Sequence, residues 1–134
     1  MTYEEKINWL SRYREAEKLY QKLSCRLAEA QEAARHITQN LSAAPGGSKD
    51  GQSLARAVER EEEAESRALA QLTVCDALFE EIDAVLLQLD NQAYCALRKY
   101  YLNTLTWEQV AKGMKVSPRR IYSIRKCAVN QLKI

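Results

Sequence analysis

Residues 106–132 read TWEQVAKGMKVSPRRIYSIRKCAVNQL, and their local signals predict two helices joined by a tight turn. Thr106, with Gln109 three residues later, forms a capping-box pattern that begins the first helix. Gly113 is the residue we expect in the left-handed conformation that closes it. Ser117 is a typical N-cap for the second helix. A short helix, a glycine-containing turn and a second capped helix are typical of the helix-turn-helix.

The second helix, predicted over about residues 117–131, has an apolar face and a basic face. Its apolar positions recur at steps of three and four: Ile121, Ile124, Ala128 and Leu132. Residues near the start of a recognition helix reach DNA bases, and its flanks reach phosphates. The predicted base contacts are Arg119, Arg120 and Ser123. The predicted DNA backbone contacts are Ser117, Tyr122, Arg125, Lys126, Lys115 and Thr106.

Three helices are predicted for residues 91–134, which we expect to form one domain. Asn91 is the expected cap of the first, which contains Leu97 and ends near residue 103. Val110 and Ala111 are expected to pack against the helix that follows the turn.

The charge distribution separates this domain from the rest of the chain. Residues 1–90 carry 11 basic and 17 acidic residues, a net charge of −6, whereas residues 91–134 carry nine basic residues and one acid, a net charge of +8. A strongly basic segment favours a polyanion such as double-stranded DNA as the partner.

Residues 1–90 predict a long antiparallel, coiled-coil-like helical hairpin, so the fold class is all-α. Thr2 and Glu5 form a capping box, and a seam with heptad spacing follows. Its positions are Trp9, Tyr13, Ala16, Tyr20, Leu23, Leu27, Ala30, Ala34, Ile37 and Leu41. Residues 42–52, SAAPGGSKDGQ, are predicted to be a flexible loop.

The second helix of the hairpin continues the same spacing, although two glutamates interrupt it. Its predicted seam is Leu54, Val58, Glu61, Glu65, Ala68, Leu72, Cys75, Phe79, Ile82, Leu86 and Leu89. Five further apolar positions widen the stripe and predict contact with another protomer or with the C-terminal domain: Ile7, Leu10, Leu69, Leu78 and Val85. The acidic patch at residues 59–65 is interpreted as a solvated helix face. We expect self-association, as a dimer or larger, through residues 1–90.

The segment LRKYYLNTLTWEQVAKGMKVSPRRIYSIRKCAVNQL, residues 97–132, resembles region four of bacterial sigma factors. The matching positions are Thr106, Glu108, Val110, Ala111, Gly113, Ser117, Ile121, Ile124 and Ala128. Trp107 is bulkier than the family's pattern, and no region two is recognisable. The likeness is greatest to phage and prophage proteins such as the ArpU-like regulators of late phage transcription. It implies a sequence-specific transcription regulator in the cytoplasm of a bacterial host, with RNA polymerase as a candidate partner.

Two other functions remain open at the level of sequence. A phage small terminase subunit also joins a helix-turn-helix to an oligomerising hairpin, although it usually carries the DNA-binding domain first. A protein-only adaptor would use the basic domain to dock on an acidic partner.

The remaining residue patterns indicate neither an enzyme nor a cofactor. No nucleophile–base pair, carboxylate pair or phosphate loop is recognisable. The four cysteines are widely spaced, there is a single histidine, and no metal site is predicted. The cysteines are interpreted as small buried residues. No apolar run reaches the length of a membrane span, and no signal peptide is recognisable.

Overall fold

The computed structural model describes residues 1–43 and 48–134, with side chains for residues 1–40 and 51–134. These residues form helices and connecting segments without a strand, so the all-α prediction is confirmed. The helices are α1 (Tyr3–Leu10), α2 (Arg12–Ala43), α3 (Ser48–Leu86), α4 (Asn91–Tyr101), α5 (Trp107–Met114) and α6 (Pro118–Gln131). None of the helices in this part of the chain combines the length and apolarity that crossing a bilayer requires.

The predicted first helix begins where its sequence signal places it but bends at Ser11. The Thr2 side chain accepts from the Glu5 amide, and the Glu5 carboxylate accepts from the Thr2 amide. At the bend, the Ser11 hydroxyl donates to the carbonyl oxygen of Ile7 at 2.7 Å. This back-bonding to the preceding turn is a known cause of helix bending.

The predicted loop at residues 42–52 is wrong at both of its ends. Helix α2 continues to Ala43, and α3 already begins at Ser48. A single glycine such as Gly51 costs a helix only about 1 kcal/mol, so the long α3 tolerates it near its start. The part of the predicted loop at residues 44–47 lies outside the described residues.

The chain divides into two compact units, and the division differs from the predicted boundary at residue 90. Unit 1 comprises Met1–Glu17 and Cys75–Ile134, and unit 2 comprises Lys18–Val74. The three C-terminal helices therefore share a unit with both ends of the predicted hairpin.

Unit 2 is an antiparallel pair formed by the middle of α2 and the first part of α3. Leu23 and Arg67 line one cavity between the helices, and Ile37 and Ser53 line the next. Residue numbers thus rise along one helix as they fall along the other, as the hairpin prediction requires.

The seam of α3 lies partly one residue earlier than predicted. Val58 is 39% exposed, Leu72 is 36% exposed, and Glu65 is exposed. The buried or half-buried positions in their place are Ala57, Ala64 and Gln71. A glutamate at the seam would bury a charge, whereas alanines let the helices approach closely. Glu65 therefore faces outward and does not interrupt the packing.

Unit 1 has one continuous core, to which both ends of the hairpin contribute. Leu10 of α1 and Ile82 and Leu86 of α3 are fully buried against the apolar residues of α4, α5 and α6. Ile7 and Val85 pack against the same core. The widened stripe was predicted to contact either another protomer or the C-terminal domain. Ile7, Leu10 and Val85 contact the core that the C-terminal helices form, whereas Leu69 in unit 2 is exposed.

Polar contacts join the end of α3 to the C-terminal helices. Asp83 accepts hydrogen bonds from Tyr94 and Arg98, and its hydrogen bond is the largest cause that raises the pKa of Tyr94. The Gln88 side chain donates to the Lys133 carbonyl at 2.9 Å and accepts from its amide at 3.2 Å.

The prediction of buried cysteines is wrong for most of them. Cys75 is buried, but Cys25, Cys95 and Cys127 are exposed. Their positions on α2, α4 and α6 lie outside the apolar stripes, which the composition could not indicate.

Candidate nucleic-acid interface

The turn between α5 and α6 is closed by Lys115 and not by Gly113, which corrects the sequence prediction. Lys115 has φ 57° and ψ 42°, in the left-handed region, whereas Gly113 is helical. The amide of Val116 donates to Ala111 at 3.0 Å, and that of Lys115 donates to Lys112 at 3.2 Å. These two bonds form a Schellman closure. The additional helical residues place Met114 against the core.

The caps that orient the three helices agree with the sequence except at α4. Thr106 and Gln109 form the predicted capping box, and Ser117 accepts from the amide of Arg120 at 3.1 Å. Helix α4 is capped by Asp90, which accepts from the amide of Ala93 at 2.8 Å; the predicted cap, Asn91, is already helical. The aspartate also places a negative charge at the positive end of the helix dipole.

The buried face of α6 is the predicted one. Ile121, Ile124, Ala128 and Leu132 are buried, and Val129 joins them. Val110 and Ala111 of α5 belong to the same core, with Val116 packed against it. The α5–turn–α6 segment is therefore a helix-turn-helix unit with a fixed inner face.

The outward face of α6 carries most of the predicted DNA-contacting side chains. Arg119, Ser123 and Lys126 lie at steps of four and three, so they share one face, and all are exposed. Tyr122, 52% exposed, flanks them. Arg120 is exposed too, but it points about 100° away from Arg119 because each helical residue turns by that angle.

Arg120 and Ser123 line a groove of about 170 Å³ between α6 and the start of α4. Asp90 and Gln92 lie on its other side. The two arginines that adjoin in sequence therefore face different surroundings: Arg119 faces outward, and Arg120 faces the groove.

The cations of this face have no anionic partner within the described residues. Arg119, Arg120 and Lys126 form no ion pair there, whereas Arg12 pairs with Glu81 at 3.1 Å and Arg98 pairs with Asp83. In the turn, Lys115 is exposed as predicted, and Lys112 at the end of α5 adds a further exposed cation. Lys112 was not among the predicted contacts. Its place in the last turn of α5, where a cation is favoured by the helix dipole, could have indicated it.

Arg125 does not lie on the exposed face where the sequence placed it. Its side chain is half-buried, and its guanidinium lies 5.1 Å from the centre of the Trp107 ring. A phosphate contact from Arg125 would require this packing to be given up. Residue 125 lies only about 40° around the helix axis from the buried Ile121. The Arg125 side chain therefore packs towards the core.

Arg125 ends a series of contacts that we call the aromatic stack, formed by Arg14, Tyr100, Trp107 and Arg125. Arg14 lies 4.1 Å from the centre of the Tyr100 ring, and that ring stacks on Trp107 with centres 4.1 Å apart at 11°. Cation–π contacts of this kind contribute about 0.5–2 kcal/mol each. The bulk of Trp107, which departs from the sigma-factor pattern, thus has a packing role.

Arg14 also fastens the connection between α4 and α5. Its Nη1 donates to the carbonyl oxygens of Tyr100 at 2.6 Å and of Leu105 at 3.1 Å. These contacts join residues 86 and 91 positions apart, so no local pattern in the sequence indicates them. Sequence analysis missed Arg14 for that reason.

Tyr101 packs edge-on to both Tyr100 and Trp107 and is fully buried. Burial raises the pKa of Tyr101 to about 12, although the neighbouring Arg125 opposes the shift. The neutral phenol is therefore the form that the folded unit accommodates.

The chain has no significant match among family models, curated proteins or solved structures. In the described part of the chain, no three His, Cys, Asp or Glu side chains are grouped so as to hold a metal ion. Exposed, unpaired cations on a rigid helix are suited to bind an anionic surface.

Replacing Gly113 by alanine tests the corrected turn. A Cβ there would meet Lys99 Nζ at 3.6 Å, an ordinary contact, so Gly113→Ala should stabilise the fold by about 0.5–1 kcal/mol. Urea unfolding monitored by circular dichroism measures the change. A loss of about 1 kcal/mol would instead indicate the left-handed conformation predicted from the sequence.

Tyr101 should make the fold sensitive to alkali. Because its pKa is about 12 when folded and about 10 when unfolded, its contribution is complete below pH 10 and is lost as pH rises towards 12. Relative to Tyr101→Phe, the wild type should lose about 2 kcal/mol between pH 8 and pH 11.5. Urea unfolding of both proteins between pH 8 and pH 11.5 provides the comparison, with the difference at pH 8 as the reference. Equal losses in the two proteins would refute the assignment.

Proposed function

We propose that this chain is a sequence-specific transcription regulator of phage or prophage origin that binds double-stranded DNA in the bacterial cytoplasm. One observation carries the proposal: α6 presents unpaired cations outward while its opposite face is buried. A helix held in this way has the dimensions and charge to enter the major groove.

The pairing of charges in unit 1 supports the proposal that α6 is the helix that faces DNA. Two acidic residues near the end of α3 are engaged with arginines, Glu81 with Arg12 and Asp83 with Arg98. The exposed cations of α6 have no such partners among the described residues. Phosphate contacts made by these cations would release condensed counterions, which favours binding at low salt.

The proposed contacts follow the positions of the side chains. Arg119 and Ser123 lie on the side of α6 opposite its buried face, and we propose that they contact bases directly. Arg120 lies beside the protein groove between α6 and α4, and we propose that it contacts bases from that side. The proposed phosphate contacts are Lys126, Tyr122 and Lys115, all of which are exposed. The Ser117 and Thr106 hydroxyls accept from backbone amides as caps, so each keeps its proton to donate to a phosphate oxygen. Arg125 is left out of this set because it packs on Trp107.

The hairpin supplies a second function in this proposal, either self-association or contact with RNA polymerase. In a dimer, two α6 helices would read half-sites about 34 Å or a multiple of that distance apart. The exposed apolar side chains of unit 2 support a role in association.

Substitution of the arginines tests the site. Arg119→Ala and Arg120→Ala should each weaken binding to a selected operator by about 1–3 kcal/mol, because each removes a base contact. Arg119→Lys should keep the charge but not the paired hydrogen bonds, and so should also relax specificity. Fluorescence anisotropy with labelled duplexes at fixed salt measures these affinities.

Lys133→Ala is the matched control, since Lys133 is an exposed cation of the same unit beyond the end of α6. It should leave affinity within about twofold, because one distant charge contributes little at physiological salt. Unchanged affinity in both alanine variants of α6 would contradict the site, whereas failure of the wild type to retard any duplex would contradict DNA binding itself.

A further inference from the structure

One side of the unit 2 hairpin carries a groove with an apolar floor. Two adjoining cavities of about 350 Å³ and 250 Å³ run along the line between α2 and α3. Alanines form the floor, among them Ala30, Ala33 and Ala64. Because alanine fills little space, the two helices leave a channel on this side.

Arginines form the rim of this channel, which we call the basic groove. Arg26, Arg56, Arg60 and Arg67 all line it and are exposed. Arg67 pairs with Glu63 at 2.7 Å, but the other three arginines form no ion pair within the described residues. Glu29 lines the groove together with Glu63, so four arginines and two acids face it. The groove is therefore apolar with a net positive charge.

The other side of α3 carries the opposite combination, a line of apolar and acidic side chains. Val58 and Glu61 lie there, beside Arg35 of α2. Helical spacing places Glu65, Leu69 and Leu72 along the same side. Leu69 is 57% exposed, and Val58 and Leu72 on the same side are 39% and 36% exposed.

We call this line the acidic ridge, comprising Val58, Glu61, Glu62, Glu65, Leu69 and Leu72. Its glutamates form no ion pair among the described residues, in contrast to Glu63 on the side of the groove. The acidic patch of the sequence thus divides between two sides of α3.

We propose that the acidic ridge of one copy docks in the basic groove of a second copy of this chain. The exposed leucines would then cover the alanine floor, and the glutamates would meet the arginines of the rim. Because the ridge and the groove lie on different sides of the hairpin, a two-fold axis cannot seat both ridges in both grooves at once. It would set ridge against ridge or groove against groove, so that like charges would oppose each other. The contact is therefore heterologous.

A heterologous contact has a consequence for assembly. Each pair leaves one ridge and one groove uncovered, so that further copies add to the ends unless the rotation closes a ring. Self-association should therefore continue beyond the dimer. This inference concerns the hairpin alone and does not rest on DNA binding.

Sedimentation velocity of the full-length chain, without DNA, tests the proposal over a range of concentrations. The wild type should form species larger than a dimer as concentration rises, and less so at high salt. Arg60→Glu and Glu65→Arg should each weaken association by about tenfold or more, because each places like charges across the contact. An equimolar mixture of the two variants should regain association, since each keeps one unaltered surface.

Glu59→Arg is the matched control, because Glu59 is an exposed acid of the same helix that lines neither surface. It should associate like the wild type, and circular dichroism should show equal helicity for every variant. A wild type that remains monomeric, or that stops at a dimer, would overturn the proposal. So would association that persists in both reversal variants, or a mixture that remains dissociated.

Discussion

The aromatic stack of Arg14, Tyr100, Trp107 and Arg125 joins parts of unit 1 that are far apart in the sequence. Its members come from α2, α4, α5 and α6, so this series of contacts, together with the apolar core, links the three C-terminal helices to the start of the chain. Arg14 further holds the α4–α5 connection through two carbonyl oxygens. Because Arg125 packs on Trp107, the cations of α6 that remain exposed are Arg119, Arg120 and Lys126. The stack thus removes Arg125 from the cations available to a ligand.

The C-terminal helices were predictable because their signals are local. Caps at Thr106 and Ser117 and the apolar spacing of α6 act within one or two turns, and the structure bears them out. The prediction for Gly113 was wrong because glycine is the usual left-handed residue. In the structure the left-handed residue is Lys115, and Met114 packs against the core. The predicted seam of α3 was correct at Ala68 and Cys75 but lay one residue too late at Val58. A spacing pattern cannot decide whether Val58 or the adjacent, smaller Ala57 is the buried residue. Arg14 and the inward turn of Arg125 depend on contacts between distant segments, which no local pattern contains.

Exposed charges without an internal partner gather on particular surfaces of each unit. In unit 1, Glu81 and Asp83 of α3 are engaged with arginines, whereas Arg119, Arg120 and Lys126 of α6 form no ion pair among the described residues. In unit 2, the acidic ridge and the basic groove lie on different sides of one hairpin. Neither surface is complementary in charge to a second copy of itself. The same physical rule, that an exposed charge without an internal partner is available to an external one, underlies both proposals. The first proposal gives a nucleic acid as the complementary surface, and the second gives another copy of the chain.

Selection of duplexes from a random pool tests the central claim, that the outward face of α6 reads DNA. The purified full-length chain would be incubated with the pool at low salt, and the retained fragments would be sequenced after several rounds. Our account predicts enrichment of a common motif, with retention that falls steeply as salt is raised because phosphate contacts release counterions. Retained fragments without any shared motif, or no retention even at low salt, would contradict it.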